Sequence, residues 1–186
     1  MIRFAVPILL IAGCSDVGET GGVDAAPGID AVPRSCTVAT DLGALGARDG
    51  TPMASGSGTT RRVSVSMVVA SDAATRDAVF VQLFGGRGVF AGGAPVPGTY
   101  PLTGAELGFE TCGVCVTVIG DIVTGQGPTQ FYMARSGTVT ITQATGSLTG
   151  SLSAMTFGEL DLADGMVIRD GCETQHGGLT FDEVLP

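Results

Sequence analysis

The feature that most constrains this chain is a repeated run of strand-length apolar alternation, cut short each time by glycine or proline. Arg62-Val63-Ser64-Val65-Ser66-Met67-Val68-Val69 alternates polar with apolar residues, the period of a half-buried strand. Ala78–Phe84 repeats the theme, and Arg87–Ala91 reads as a short third strand beyond Gly85-Gly86. Pro95–Pro101 can only be an edge or a connection, because proline cannot donate to a ladder. Cys115–Val123, Gln130–Ala134, Gly137–Thr142, Leu148–Leu162 and Leu179–Val184 complete the strand set. No window after Cys36 holds a sustained helical stripe, and 30 glycines would interrupt one. The expected fold is all-β: an antiparallel β-sandwich, or alternatively a β-barrel, of about eight to ten strands.

One hairpin can be placed in detail. Thr138–Thr142 and Ser147–Leu152 alternate on either side of Gln143-Ala144-Thr145-Gly146, which predicts Ile141 opposite Leu148 and Thr140 opposite Thr149. The apolar phase then changes. Leu148 and Leu152 are even, whereas Met155 and Phe157 are odd. A bulge near Ser153-Ala154 would keep both pairs inward.

The first residues read differently. Arg3 precedes an apolar run from Phe4 to Ala12, too short to span a bilayer and laid out as a secretory signal. Ile11-Ala12-Gly13-Cys14 resembles the lipobox of bacterial lipoproteins. That resemblance implies cleavage before Cys14, acylation of its sulfur and amine, and a lipid bilayer as partner. Ser15 points to outer-membrane sorting by analogy with enteric bacteria. The division that follows is a signal over 1–13, a flexible acidic Gly/Pro-rich tether over 14–35 and a β domain over 36–186. The segments PGTYPLTG, SGTVTITQ and GSLTGSLSAMTFGEL look like β-rich lipoproteins of myxobacteria, a group with no assigned chemistry to carry over.

With Cys14 acylated, Cys36, Cys112, Cys115 and Cys172 remain. An even number in an exported chain predicts two disulfides. Either Cys112-Gly113-Val114-Cys115 closes on itself and Cys36 joins Cys172, or Cys112 and Cys115 face opposite ways and each bridges a distant cysteine. A redox reading of the CxxC lacks the helix N-terminus that would acidify a thiol. A four-cysteine zinc reading lacks the paired spacing.

Composition narrows the function. Nine basic residues stand against 18 acidic ones, a net charge of −9, which argues against a nucleic-acid partner. There is no lysine for Schiff-base chemistry. The single histidine, His176, lies in a polar, Gly-rich stretch and reads as a solvated loop residue without a triad around it. Asp161, Asp164 and Asp170 could offer oxygens to calcium, but their spacing is not that of an EF-hand and solvated loop acids describe them better. No metal or cofactor is expected. The resulting expectation is a lipid-anchored, non-enzymatic structural or binding domain of the cell envelope, with a protein or glycan partner. The alternative is an exported hydrolase using paired carboxylates.

Overall fold

A computed structural model describes residues 35–72 and 74–186. The signal, Cys14 and nearly all of the tether lie outside the described residues. The strands are β1 (Ala44–Ala47), β2 (Thr51–Ser55), β3 (Arg62–Ser71), β4 (Arg76–Phe84), β5 (Gly98–Pro101), β6 (Val114–Gly120), β7 (Gln130–Gln143), β8 (Ser147–Asp161), β9 (Met166–Val167) and β10 (Glu173–Val184).

The all-β class holds. The strands do not divide into two packed sheets, however. They form one sheet in the order β1-β10-β8-β7-β6-β4-β3-β2, with β5 added to β7 and β9 to β8, and it curls into a half-barrel. Of the two arrangements expected, this lies on the barrel side. All pairings are antiparallel except β1 with β10. The chain crosses from one sheet edge to the other through residues 48–50. Arg48 N donates to Thr180 O at 3.0 Å, and the Gly50 amide donates to the Glu183 carboxylate.

Two long strands generate the curl. β7 pairs with β6 through Thr117↔Met133 and with β5 through Tyr100↔Val139, so its two halves serve different neighbours. Its ladder with β8 slips between Ser136 and Thr138, where Ala154 takes φ +48°. That is the bulge the phase change requires: Leu148 and Leu152 before it and Met155 and Phe157 after it are all buried.

Several local expectations need correction. Arg87–Ala91 is not a strand: Gly88–Phe90 is a 3-10 turn, held because Glu106 Oε1 accepts the Val89 amide at 2.8 Å. The runs at 130–134 and 137–142 are one strand. The hairpin register also differs, with Ile141 opposite Gly150 and Val139 opposite Leu152. Gly150 is what permits this. A Cβ there would meet the Phe181 ring at 2.8 Å, so the missing side chain makes room for the aromatic from β10.

Inside the curl lie Val63, Val65 and Met67, then Val79, Val81 and Leu83, then Val114, Val116 and Val118, and from the long strands Tyr132, Ile141, Leu152 and Phe157. A smaller cluster of Cys112, Cys115, Met133 and Leu160 occupies the outer face. Two substitutions separate packing from backbone strain. Leu152→Ala should cost about 2–5 kcal/mol. Ala154→Gly should stabilise by about 1 kcal/mol by relieving the left-handed conformation. Urea unfolding of both variants checks the pair.

Candidate functional site

The functional geometry gathers around residues 35–43, a strap laid from the end of β6 to β10. Cys36 forms a disulfide with Cys172, Cα–Cα 5.6 Å, at the entrance to β10. The Thr37 hydroxyl donates to the Asp121 carboxylate and, at 2.9 Å, to Gln130 Oε1. Val38 is buried in the core and sits where a Cβ on Gly120 would otherwise be. The strap then runs beside β10. Thr174 Oγ1 donates to Ala39 O at 2.6 Å, and Gln175 N to Thr40 O at 3.1 Å. Leu42 N donates to Gln175 O and Gly177 N to Gly43 O, both at 2.8 Å.

The second disulfide joins Cys112 to Cys115, Cα–Cα 5.4 Å, so the CxxC closes on itself. Both sulfurs belong to buried residues of the outer-face cluster. A buried sulfur pair leading into a strand, with no helix behind it, is a staple rather than an exposed redox centre.

Beside the strap opens a cleft of 1090 Å³. The Cys36–Cys172 bridge, Thr40, Thr156, Arg135, Arg169 and Glu173 contribute to its walls. Arg135 Nη1 meets Glu173 Oε1 at 2.6 Å, an exposed pair worth little on its own. Its aliphatic stem passes over Gly158, whose missing Cβ would lie 2.8 Å from Arg135 Cδ. Arg169 makes no ion pair among the described residues. On the same walls Glu173 and Asp170 balance the two guanidinium groups, so in a chain this acidic the cleft is locally neutral rather than negative. The guanidinium groups suit a carboxylate or phosphate.

Where Thr37 meets Asp121 is a concavity of 230 Å³ edged by Asp72, Asp77 and Asp121. It is the nearest approach to the paired carboxylates of the alternative reading. Burial pushes the Asp77 carboxyl up, and repulsion from Asp121 and Asp72 adds to it. The Asp121 amide, donating to Asp77 Oδ1 at 3.0 Å, opposes the rise. Asp121 itself takes φ +52° and accepts hydroxyls from Thr37 and Thr129. Asp72 is held low by backbone amides of Thr75 and Ala74. Nearby, the Tyr132 phenol donates to Gln130 Oε1 at 2.6 Å. Burial, with the charges of Glu159, Asp121 and Asp77, pushes it up to about 12.

His176 is not a solvated loop residue. It lies within β10, 2% exposed, with its ring 5.7 Å from that of Phe157. The polar and glycine neighbours that suggested a loop, Glu173, Gln175 and Gly177, are exposed and alternate with Thr174 and His176, which are buried. Asp161 and Asp164 are exposed, and each accepts a backbone amide of the β8–β9 turn: Ala163 N and Met166 N, both at 2.8 Å. Asp170 is exposed as well. No group of three His, Cys, Asp or Glu among the described residues is placed to hold a metal.

Glu106 escaped the sequence reading. Its buried carboxylate accepts Val89 N at 2.8 Å and Val114 N at 2.5 Å, pinning the 3-10 turn to the start of β6. Asp77 and Asp121 also escaped it, since nothing local ties residues 44 positions apart.

Comparison with protein-family models, curated proteins and solved structures finds no match to this chain.

The Asp77 environment makes a signed prediction. Its folded pKa lies above the unfolded value, so the folded state holds the proton longer. Stability therefore falls as pH rises from about 4 through the folded pKa. Asp77→Asn keeps the oxygen that accepts the Asp121 amide and removes the charge. It should melt higher than the parent at about pH 7, and the gap should close toward about pH 4. Thermal denaturation at both pH values checks this. A gap that widens in acid would contradict it.

Proposed function

We propose that this chain is an exported lipoprotein, acylated at Cys14 and held by its 14–35 tether, whose β domain is a non-enzymatic binding module of the cell envelope. The observation that carries the reading is the Cys36–Cys172 bridge. A disulfide framework belongs to an oxidising compartment. This one covalently secures the strap at the point where the tether would hand over to the domain. Any pull through the lipid anchor is then borne by a covalent link to β10 rather than by strap hydrogen bonds alone.

The cleft beside the bridge supports a ligand class: an anionic glycan. Arg135 and Arg169 suit its carboxylate or phosphate, while Thr40, Thr156 and Gln175 offer hydrogen bonds to hydroxyls. A second reading, a hydrolase built on Asp77 and Asp121, is favoured only by the raised Asp77 carboxyl. Against it, Oδ2 of Asp121 accepts the hydroxyls of both Thr37 and Thr129, which fixes that carboxylate in a structural role.

The anchor and the ligand are tested separately. Intact-mass analysis of membrane-extracted protein should show a chain beginning at Cys14 with acyl mass added, and Cys14→Ala should leave precursor or release protein. An unlipidated mature chain starting elsewhere contradicts the anchor. On an array of uronate-bearing and phosphorylated glycans, Arg135→Ala with Arg169→Ala should weaken binding about tenfold or more, each charge-assisted bond contributing about 1.5–3 kcal/mol. Glycan turnover that disappears in Asp77→Asn would instead establish the hydrolase.

A further inference from the structure

His176 poses a problem that the binding reading does not use. The ring is 98% enclosed, yet neither Nδ1 nor Nε2 has a hydrogen-bond partner among the described residues. An unsatisfied buried imidazole is costly, and an unsatisfied buried imidazolium is far more so. Burial accordingly holds its pKa below the ordinary histidine value, with no charged group compensating.

What covers the ring is slight. A cavity of 410 Å³ reaches it between the strap, β8 and β10, lined by Gly43, Ala44, Ala154 and Gly177 together with Asp41 and Gln175. From β8, the residue paired with His176 is Met155, and the ring beside it is Phe157; neither titrates. On β10, Gln175 and Gly177 flank it. From the strap, Asp41 is the one other titratable group on the cavity wall. Its oxygens are engaged by the Gly43 amide at 2.7 Å and by Gln175 Nε2 at 3.3 Å. With the strap closed, neither ring nitrogen is bonded to Asp41. The strap over this cavity is secured to β10 by the three backbone bonds of Thr40, Leu42 and Gly43. Its ends are fixed elsewhere, by the Cys36–Cys172 bridge on one side and β1 pairing on the other.

We propose that residues 40–43 form an acid-released latch, shut over neutral His176 and bowed away from β10 when the ring takes up a proton. The only chemical step is a proton transfer: hydronium delivers the proton to an imidazole nitrogen and leaves water, and three backbone bonds to β10 exchange for bonds to solvent. The two fixed ends limit the motion to a bow, so the fold survives. Thr40 and Gln175 also line the arginine cleft, so the same movement alters that cleft's wall. The latch itself requires no ligand there.

The sign follows from linkage. With the latch open the ring is solvated, with a pKa of about 6.5. With it closed the pKa is lower. Between those values the open state binds the extra proton, so opening increases up to about tenfold per pH unit of acidification.

Amide hydrogen exchange on the full chain reads this directly, from about pH 7.5 to about pH 5, corrected for the intrinsic exchange rate. Protection at Leu42, Gln175 and Gly177 should fall up to about tenfold per unit below about pH 6.5. Val81 in β4 should hold steady. His176→Leu, apolar and non-titrating, should leave the latch protected at every pH. Should that variant fold poorly, the wild-type ring still reports, because a chain with one histidine gives one imidazole signal. That signal should titrate below about 6.5 in step with the loss of latch protection. A ring that titrates at its ordinary value, or stays neutral, while the latch amides remain protected overturns the proposal. So does a loss of protection that persists in His176→Leu.

Discussion

A sheet that curls only part of the way round leaves an apolar interior needing a cover, and here the strap supplies it. Val38 enters the core over Gly120, and Thr37 ties the near end to Asp121 and Gln130. The far end lies along β10 by backbone bonds. A strap of this length gains little from its own hydrogen bonds against the entropy of ordering it. The Cys36–Cys172 bridge changes that balance. It closes a loop spanning 136 positions, which in the chain-entropy account is worth about 5 kcal/mol. The strap's bonds then form within a tethered segment.

What was legible in the sequence was whatever the chain decides locally. The alternation at Arg62–Val69 became β3, with Val63, Val65 and Met67 inside. The phase change between Leu152 and Met155 located a bulge to within a residue or two of Ala154. What was not legible depends on distant partners. Ala44–Ala47 and Thr51–Ser55 carry no β-branched run. They become strands because the corner at 48–50 delivers them to the two edges of the sheet. Gly88–Phe90 turns because a carboxylate 17 positions away holds Val89. The acid pair and the enclosed histidine were invisible for the same reason: their character comes from neighbours, not from spacing.

The strap also organises the polar chemistry. Over Cys36–Thr40 it borders both the carboxylates around Asp121 and the cleft of Arg135 and Arg169, and farther along, at Asp41–Gly43, it borders an imidazole with no hydrogen-bond partner among the described residues. A chain of net charge −9 thus gathers an acidic concavity and a charge-balanced cleft around a single short segment. A lipid anchor before that segment and a ligand cleft beside it would act on the same few residues. This is the physical sense in which anchoring and binding belong to one device in the proposed function.

The fold depends on which cysteine holds the strap, and non-reducing peptide mapping of the freshly isolated protein tests that most directly. The account predicts one linked pair joining the peptide of Cys36 to that of Cys172, and a single peptide containing Cys112 bridged to Cys115. A peptide of Cys36 linked to Cys112 or Cys115, or four alkylatable thiols, would contradict it.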